Sequence, residues 1–267
     1  MNFDITSPAN DRIKWLVRLR ERRHRDDEGV FMIEGQRLYD RALQAGLEPM
    51  VTFTSSDFEG SGETLLVAPS VLDKASYRSR AQEVIGVFPQ FDLDIGLITP
   101  SRVPLILVVE DIEKPGNLGA MMRTAAAAGA DALITVGRSV DPFNPNVVRS
   151  STGALFSLPL AVSSWEETRP WLEERGIDVV AASPDGQGPP WETDLTGPIA
   201  IIIGAEDAGL SGQARSIARE IVAIPQEDEG VDSLNASVAA AVLLFEAVRQ
   251  RIGGSSRAGD AGRNVPR

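Results

Sequence analysis

Residues 105–136 read LILVVEDIEKPGNLGAMMRTAAAAGADALITV. Leu105–Val109 has no polar residue, as a strand buried on both faces of a parallel sheet requires. Pro115 and Gly116 make a turn, and Asn117 is a good N-cap for a helix over Leu118–Ala128 that Gly129 ends. Ala132–Val136 is the next strand. Strand, helix and strand within one such stretch predict a parallel sheet with helices on its faces. In such sheets, ligands sit beyond the carboxyl ends of the strands.

The pattern continues on both sides. Downstream, helices over Trp165–Arg175, Ser211–Arg219 and Val231–Arg251 alternate with strands at Asp178–Ala182, Ile199–Ile203 and Ile221–Ile224. Upstream, strands at Val30–Ile33, Met50–Thr54, Leu65–Ala68 and Val84–Phe88 surround helices at Gln36–Ala45 and Ser70–Tyr77. The expected class is therefore α/β: a small N-terminal domain over 1–98, a Pro-containing linker at 99–104, a second domain over 105–252, and a polar, aperiodic tail at 253–267 expected to be disordered.

Composition narrows the chemistry. The 267 residues include no Cys and one His. Disulfides, thiolate zinc sites, Cys nucleophiles and two-His metal sites are excluded. The first 25 residues contain no signal-like apolar stretch and no run is long enough to span a membrane, which suggests the cytoplasm. A net charge of −12 disfavours nucleic acid as a partner. The charge is uneven, however: residues 12–25 hold seven basic side chains against Glu21, whereas 101–252 hold eleven basic against twenty-one acidic. Asp11–Arg23 has helical spacing, with Ile13, Leu16, Val17 and Leu19 as its apolar stripe. Its cationic side is either a solvated face or a surface for phosphates.

Three segments follow strand ends and carry polar residues that packing does not require. The first is Lys114–Ala126, with Asn117 and Arg123, an Arg being able to hold a phosphate bidentately. The second is Ile203–Ser211, where Gly204 and Gly209 bracket Glu206; it is neither GxGxxG nor a P-loop. The third is Ile224–Ala241, where an acidic loop leads through Ser233, Asn235 and Ser237 into an Ala-rich helix. Each alone is compatible with a purely structural role.

Together and in this order they resemble the motifs of the SpoU (TrmH-like) RNA ribose 2′-O-methyltransferases of the SPOUT superfamily. The carriers are Asn117/Gly119/Arg123, Gly204/Glu206/Gly209/Leu210, and Ile224/Pro225 with Ser233/Leu234/Asn235/Ser237. Residues 148–156 (VRSSTGALF), 245–251 (FEAVRQR) and 31–37 (FMIEGQR) add to the likeness. The variant nearest in pattern includes 23S ribosomal RNA methyltransferases that carry an N-terminal RNA-binding domain.

The resemblance implies a C-terminal parallel-sheet domain with a deep trefoil knot, a ribosomal-protein-like N-terminal domain, and a homodimer. It implies S-adenosylmethionine as cofactor and no metal, with the cofactor against Ala182, Ser183, Gly204, Gly209, Ile224 and Leu234. Arg123, Asn117, Glu206 and Asn235 would form the catalytic set, Arg123 orienting the phosphate and the 2′-hydroxyl. RNA contacts would come from Arg149, Ser233 and the basic helix through Arg12, Lys14, Arg18 and Arg22. Ribosomal RNA is favoured over transfer RNA; a non-catalytic RNA-binding protein of the same fold is the other reading. The loop at 227–232 departs from the family pattern, its carboxylates being unfavourable beside RNA.

Overall fold

A computed structural model describes residues 3–58, 60, 62–77, 82–227 and 234–260. It divides into two compact units, 1–92 with 141–157, and 93–140 with 158–267. The division falls at 92/93 rather than at 98. Ile98 packs in the core of the second unit, beside Ile106 and Ala132.

In the first unit, α1 (Asp11–Arg18) and α2 (Arg22–Glu28) are followed by β1 (Val30–Glu34), α3 (Gln36–Gln44), β2 (Val51–Thr54), β3 (Glu63–Leu66), α4 (Pro69–Ala75) and β4 (Val84–Pro89). The sheet order is β1-β4-β2-β3. β4 is antiparallel to both neighbours, and β2 and β3 are parallel. Ile13, Leu16 and Leu19 pack against Val30, Met32, Phe53 and Val87 in its core.

The expected single basic helix is therefore two. Asn10 caps α1, its side chain accepting from Arg12 N at 2.9 Å. The chain then turns at 19–21, where Arg20 N and Glu21 N donate three residues back, to Val17 O and Arg18 O. Arg25 stabilises the break. Its Nη1 donates to Leu19 O at 2.9 Å and Arg20 O at 2.8 Å, and its Nη2 donates to Asp141 Oδ2 at 2.5 Å. Arg25 is 1% exposed and Asp141 7%, so this cation is a core group and not part of a phosphate-facing surface.

The second unit is built on β5 (Leu105–Glu110), α5 (Pro115–Ala127) and β6 (Ala132–Val136). After β6 the chain returns to the first unit for α6 (Pro145–Ser150), a short helix that the sequence reading missed. There Phe143 packs its ring 5.0 Å from that of Phe31. The second unit resumes with β7 (Leu160–Ser163), a strand also missed, then α7 (Trp165–Glu174), β8 (Asp178–Ala182), β9 (Ile199–Ile203), α8 (Gly212–Ile217), β10 (Glu220–Val222) and α9 (Ala236–Asp260). All strand pairs are parallel, in the order β10-β8-β9-β5-β6-β7. Every residue of β5, β6 and β9 is buried, which explains their uninterrupted apolar runs.

α9 reaches Asp260, so the first part of the tail expected to be disordered is helical; residues 261–267 lie outside the described residues. Among the described residues no helix is long and apolar enough to cross a membrane, and no acidic or His cluster could hold a metal ion.

Candidate active site

The chain runs outward from β5 to β6 and β7, crosses to β8, and returns to place β9 beside β5. The carboxyl ends of β8, β9 and β10 then lie side by side. A cavity of about 740 Å³ opens there, lined by Ala182–Asp185, Ile203–Gly209, Arg215, Ile224, Gln226, Leu234, Ala236 and Ala239. That volume is in the range of small-molecule sites, about 300–1,000 Å³. All six residues expected at the cofactor, Ala182, Ser183, Gly204, Gly209, Ile224 and Leu234, border this one cavity.

Its shape depends on close backbone approach. A Cβ on Gly204 would stand 2.4 Å from Gly209 O, too near for any side chain. Gly209 has φ +67°, a conformation that glycine adopts without steric cost. Ala205 and Gly209 exchange backbone hydrogen bonds of 3.1 and 3.0 Å, closing the loop after β9. The loop after β9 is therefore a tight backbone turn on the border of the cavity.

Side chains close one rim. Glu206 accepts from Asn117 Nδ2 through Oε1 and from Lys114 Nζ through Oε2. Asn235 Nδ2 donates to Asn117 Oδ1 at 3.2 Å, and Asn235 Oδ1 accepts from Ser237 Oγ at 2.6 Å and Ser237 N at 2.9 Å. Three of the four residues expected to be catalytic thus meet in one network, although they come from α5, the β9 loop and the start of α9. The Glu206 carboxylate holds the Lys114 ammonium above its ordinary pKa, chiefly by hydrogen bonding. The fourth, Arg123, is exposed on α5 and does not line the cavity. Six residues of helix turn it about 240° from Asn117 and roughly 9 Å along the axis.

On another wall, Arg215 Nη2 donates to Asp185 Oδ1 at 3.0 Å and Ser183 Oγ at 3.2 Å, and Ser183 Oγ donates to Asp185. These bonds, Arg215 first, pull the Asp185 carboxyl down to about 2. The sequence reading missed Asp185 and Arg215. Asp185 was within reach of the strand-end rule, since it follows β8 by three residues; Arg215 carries no local signal.

The basic residues of the first unit look different in three dimensions. Arg12 pairs with Glu63, Lys14 with Asp11 and Arg22 with Asp26, all in exposed positions. Over the two helices as they occur, Asp11–Glu28, seven basic residues face five acidic ones, a net +2 in place of the +6 of residues 12–25. Arg18 and Arg149 are exposed and have no ionic partner among the described residues. Ser233 and residues 228–232 of the acidic loop lie outside the described residues; Glu227, which precedes them, is exposed.

Comparison with known proteins agrees with this architecture. Residues 104–245 match the SpoU rRNA methylase family, and residues 10–86 match the MRM3-like substrate binding domain. The chain is 35% identical over 262 residues to the 23S rRNA (uridine(2479)-2′-O)-methyltransferase of Streptomyces viridochromogenes, covering 90% of each. It is 42% identical over 149 residues to the 23S rRNA (guanosine-2′-O-)-methyltransferase RlmB of Pseudomonas putida, covering 55% of this chain and 60% of that one. The crystal structure of an AdoMet-bound rRNA methyltransferase from Sinorhizobium meliloti superposes with a TM-score of 0.85 and 32% identity, over 92% of this chain and 97% of that one. The strand order, the cavity beyond β8–β10 and the rim network belong to a chain that is a member of the SpoU rRNA methylase family.

Proposed function

We propose that this protein transfers the methyl group of S-adenosylmethionine to a ribose 2′-hydroxyl of ribosomal RNA, 23S in particular. The observation that carries this reading is the cavity bordered by residues 182–185 and 203–209 with the Asn117–Glu206–Asn235 network at its rim. The named relatives with 23S rRNA 2′-O activity and the AdoMet-bound neighbour support it.

The residues present fit the cofactor. Ala182, Ser183, Gly204, Gly209, Ile224 and Leu234 would hold it, mostly through peptide groups. When bound, S-adenosylmethionine supplies an electrophilic methyl group on a sulfonium, with a neutral thioether as leaving group. The protein's share is to position the 2′-hydroxyl in line and remove its proton. Glu206 fixes Asn117, and Asn117 in turn fixes Asn235, so the rim is preorganised. Arg123 stands outside the cavity of its own chain, and the reading gives it the orientation of the RNA phosphate and hydroxyl, since a guanidinium can hold a phosphate bidentately.

The reading includes a homodimer. Val238, Phe245 and Ile252 are exposed at a spacing of seven along α9, one apolar stripe on a helix face, which supports a second copy as its cover. It also includes the family's knot, RNA capture by the 1–98 domain through Arg12, Lys14, Arg18 and Arg22 together with Arg149 and Ser233, and a place in the cytoplasm.

Labelled-methyl incorporation into purified ribosomal and transfer RNA, followed by mapping of the modified nucleotide, tests the proposal. A 2′-O-methyl group on 23S RNA is expected. Incorporation only into transfer RNA would change the substrate, and cofactor binding without incorporation into either would leave an RNA-binding protein.

A further inference from the structure

Glu110 ends β5 and is 2% exposed, although it is a carboxylate with no basic partner among the described residues. A buried acid without a cation is costly unless donors surround it. Here Oε1 accepts from Trp165 Nε1 at 2.6 Å, and Oε2 accepts from the backbone N of Ser211 at 2.9 Å. Ser211 comes directly after the Gly204–Leu210 loop. It also caps α8, its Oγ accepting from Ala214 N at 3.1 Å. The backbone of Glu110, meanwhile, leads through the 111–114 loop into the first turn of α5, and these carry Lys114 and Asn117 to Glu206. One residue therefore anchors both segments that meet at the rim, the start of α5 through the main chain and the loop after β9 through its side chain.

We infer that Glu110 is a positioning residue: its buried carboxylate holds the exit of the 204–210 loop, and through that loop sets the cofactor wall and the place of Glu206. Both of its partners are donors. A glutamine of the same shape offers one acceptor and one NH2, so one donor would always face another donor. The glutamine variant consequently retains volume and loses the hold on Ser211, on Trp165 or on each in part.

This inference rests on the methyltransferase reading, and its test separates the two. S-adenosylmethionine binding is measured by calorimetry for the wild type, E110Q, W165F and E110Q/W165F, with thermal unfolding and amide exchange of residues 205–211 alongside. Binding by the wild type is the control; its absence would defeat the proposed function and not the role of Glu110. E110Q is expected to be folded, to bind about 10- to 100-fold more weakly, as loss of a charge-assisted bond predicts, and to exchange faster at 205–211 than in β9. Removing the indole donor frees the amide oxygen for Ser211, so E110Q/W165F is expected to recover much of that affinity. Should E110Q not fold, Ser211→Pro removes the same bond from the donor side, since Ser211 φ is −67° and suits proline. Wild-type affinity in a folded E110Q or in Ser211→Pro, with at most a lower Tm, would overturn the inference. So would an E110Q/W165F protein that binds no better than E110Q.

Discussion

Replacing Arg25 by alanine tests how far a charged side chain near the N-terminus has become part of the core. Arg25 and Asp141 are 1% and 7% exposed and pair at 2.5 Å. The substitution removes this pair and leaves the Asp141 carboxylate, among the described residues, with one other bond, from Phe143 N to Oδ1 at 2.8 Å. It also frees Leu19 O and Arg20 O, the carbonyls at the break between α1 and α2. Breaking a buried pair from one side costs about 3–5 kcal/mol, because the remaining charge stays desolvated. The orphaned carbonyls put the expected loss at the upper end. At about 4 °C per kcal/mol for a unit of roughly 100 residues, the first unit should melt about 20 °C lower. Urea unfolding followed by circular dichroism, with each transition fitted separately, gives the free energy. Arg25→Met combined with Asp141→Leu replaces both charges with apolar volume and should recover most of the loss. An Arg25→Ala cost below about 1 kcal/mol, or a double variant no better than the single one, would refute the reasoning.

Other outcomes follow from the same geometry. Gly204→Ala puts a methyl group 2.4 Å from Gly209 O, so calorimetry should find S-adenosylmethionine binding lost in a protein whose circular dichroism is unchanged. The Asp185 carboxyl lies below its ordinary value, at about 2. Its stabilising contribution is therefore complete above about pH 4, the value of an unperturbed Asp, and is lost as the pH falls through about 2. Thermal unfolding of the wild type and of Asp185→Asn should differ at pH 6 and converge between pH 4 and pH 2; a constant gap would contradict this assignment. Arg18→Ala and Arg149→Ala should each reduce the slope of log affinity against log salt for RNA by about 1. In the same assay Arg25→Met, where the protein folds, should leave the slope unchanged.

The site was more legible than its surroundings. Asn117, Glu206 and Asn235 lie 89 and 29 residues apart along the chain and could be joined only by likeness to a family; the structure brings them within hydrogen-bonding reach. The strand ends that line the cavity were readable because a doubly buried parallel strand leaves an unbroken apolar run, and such a run ends where the sheet meets solvent. β8 and β9 accordingly have the bounds that their sequence suggests. β7 was hidden because it is a short edge strand with Val162 44% exposed, and α6 because six residues carry too little periodicity.

Most strands and helices were readable from the sequence, with α6, β7 and the break between α1 and α2 as exceptions, as were two glycines that allow close backbone approach at 204 and 209 and a set of residue types without a thiol. These follow from local sterics and from burial written into periodicity. Folding alone made Arg25 a core residue, left Arg18 and Arg149 exposed with no ionic partner among the described residues, placed 141–157 with the first unit, and set Glu110 against the amide of Ser211. Charge pairing and desolvation depend on which residues distant in sequence become neighbours, and in each case the deciding partner is far away: Asp141 for Arg25, Ser211 for Glu110. A count of charges along a window of chain contains no information about that partner.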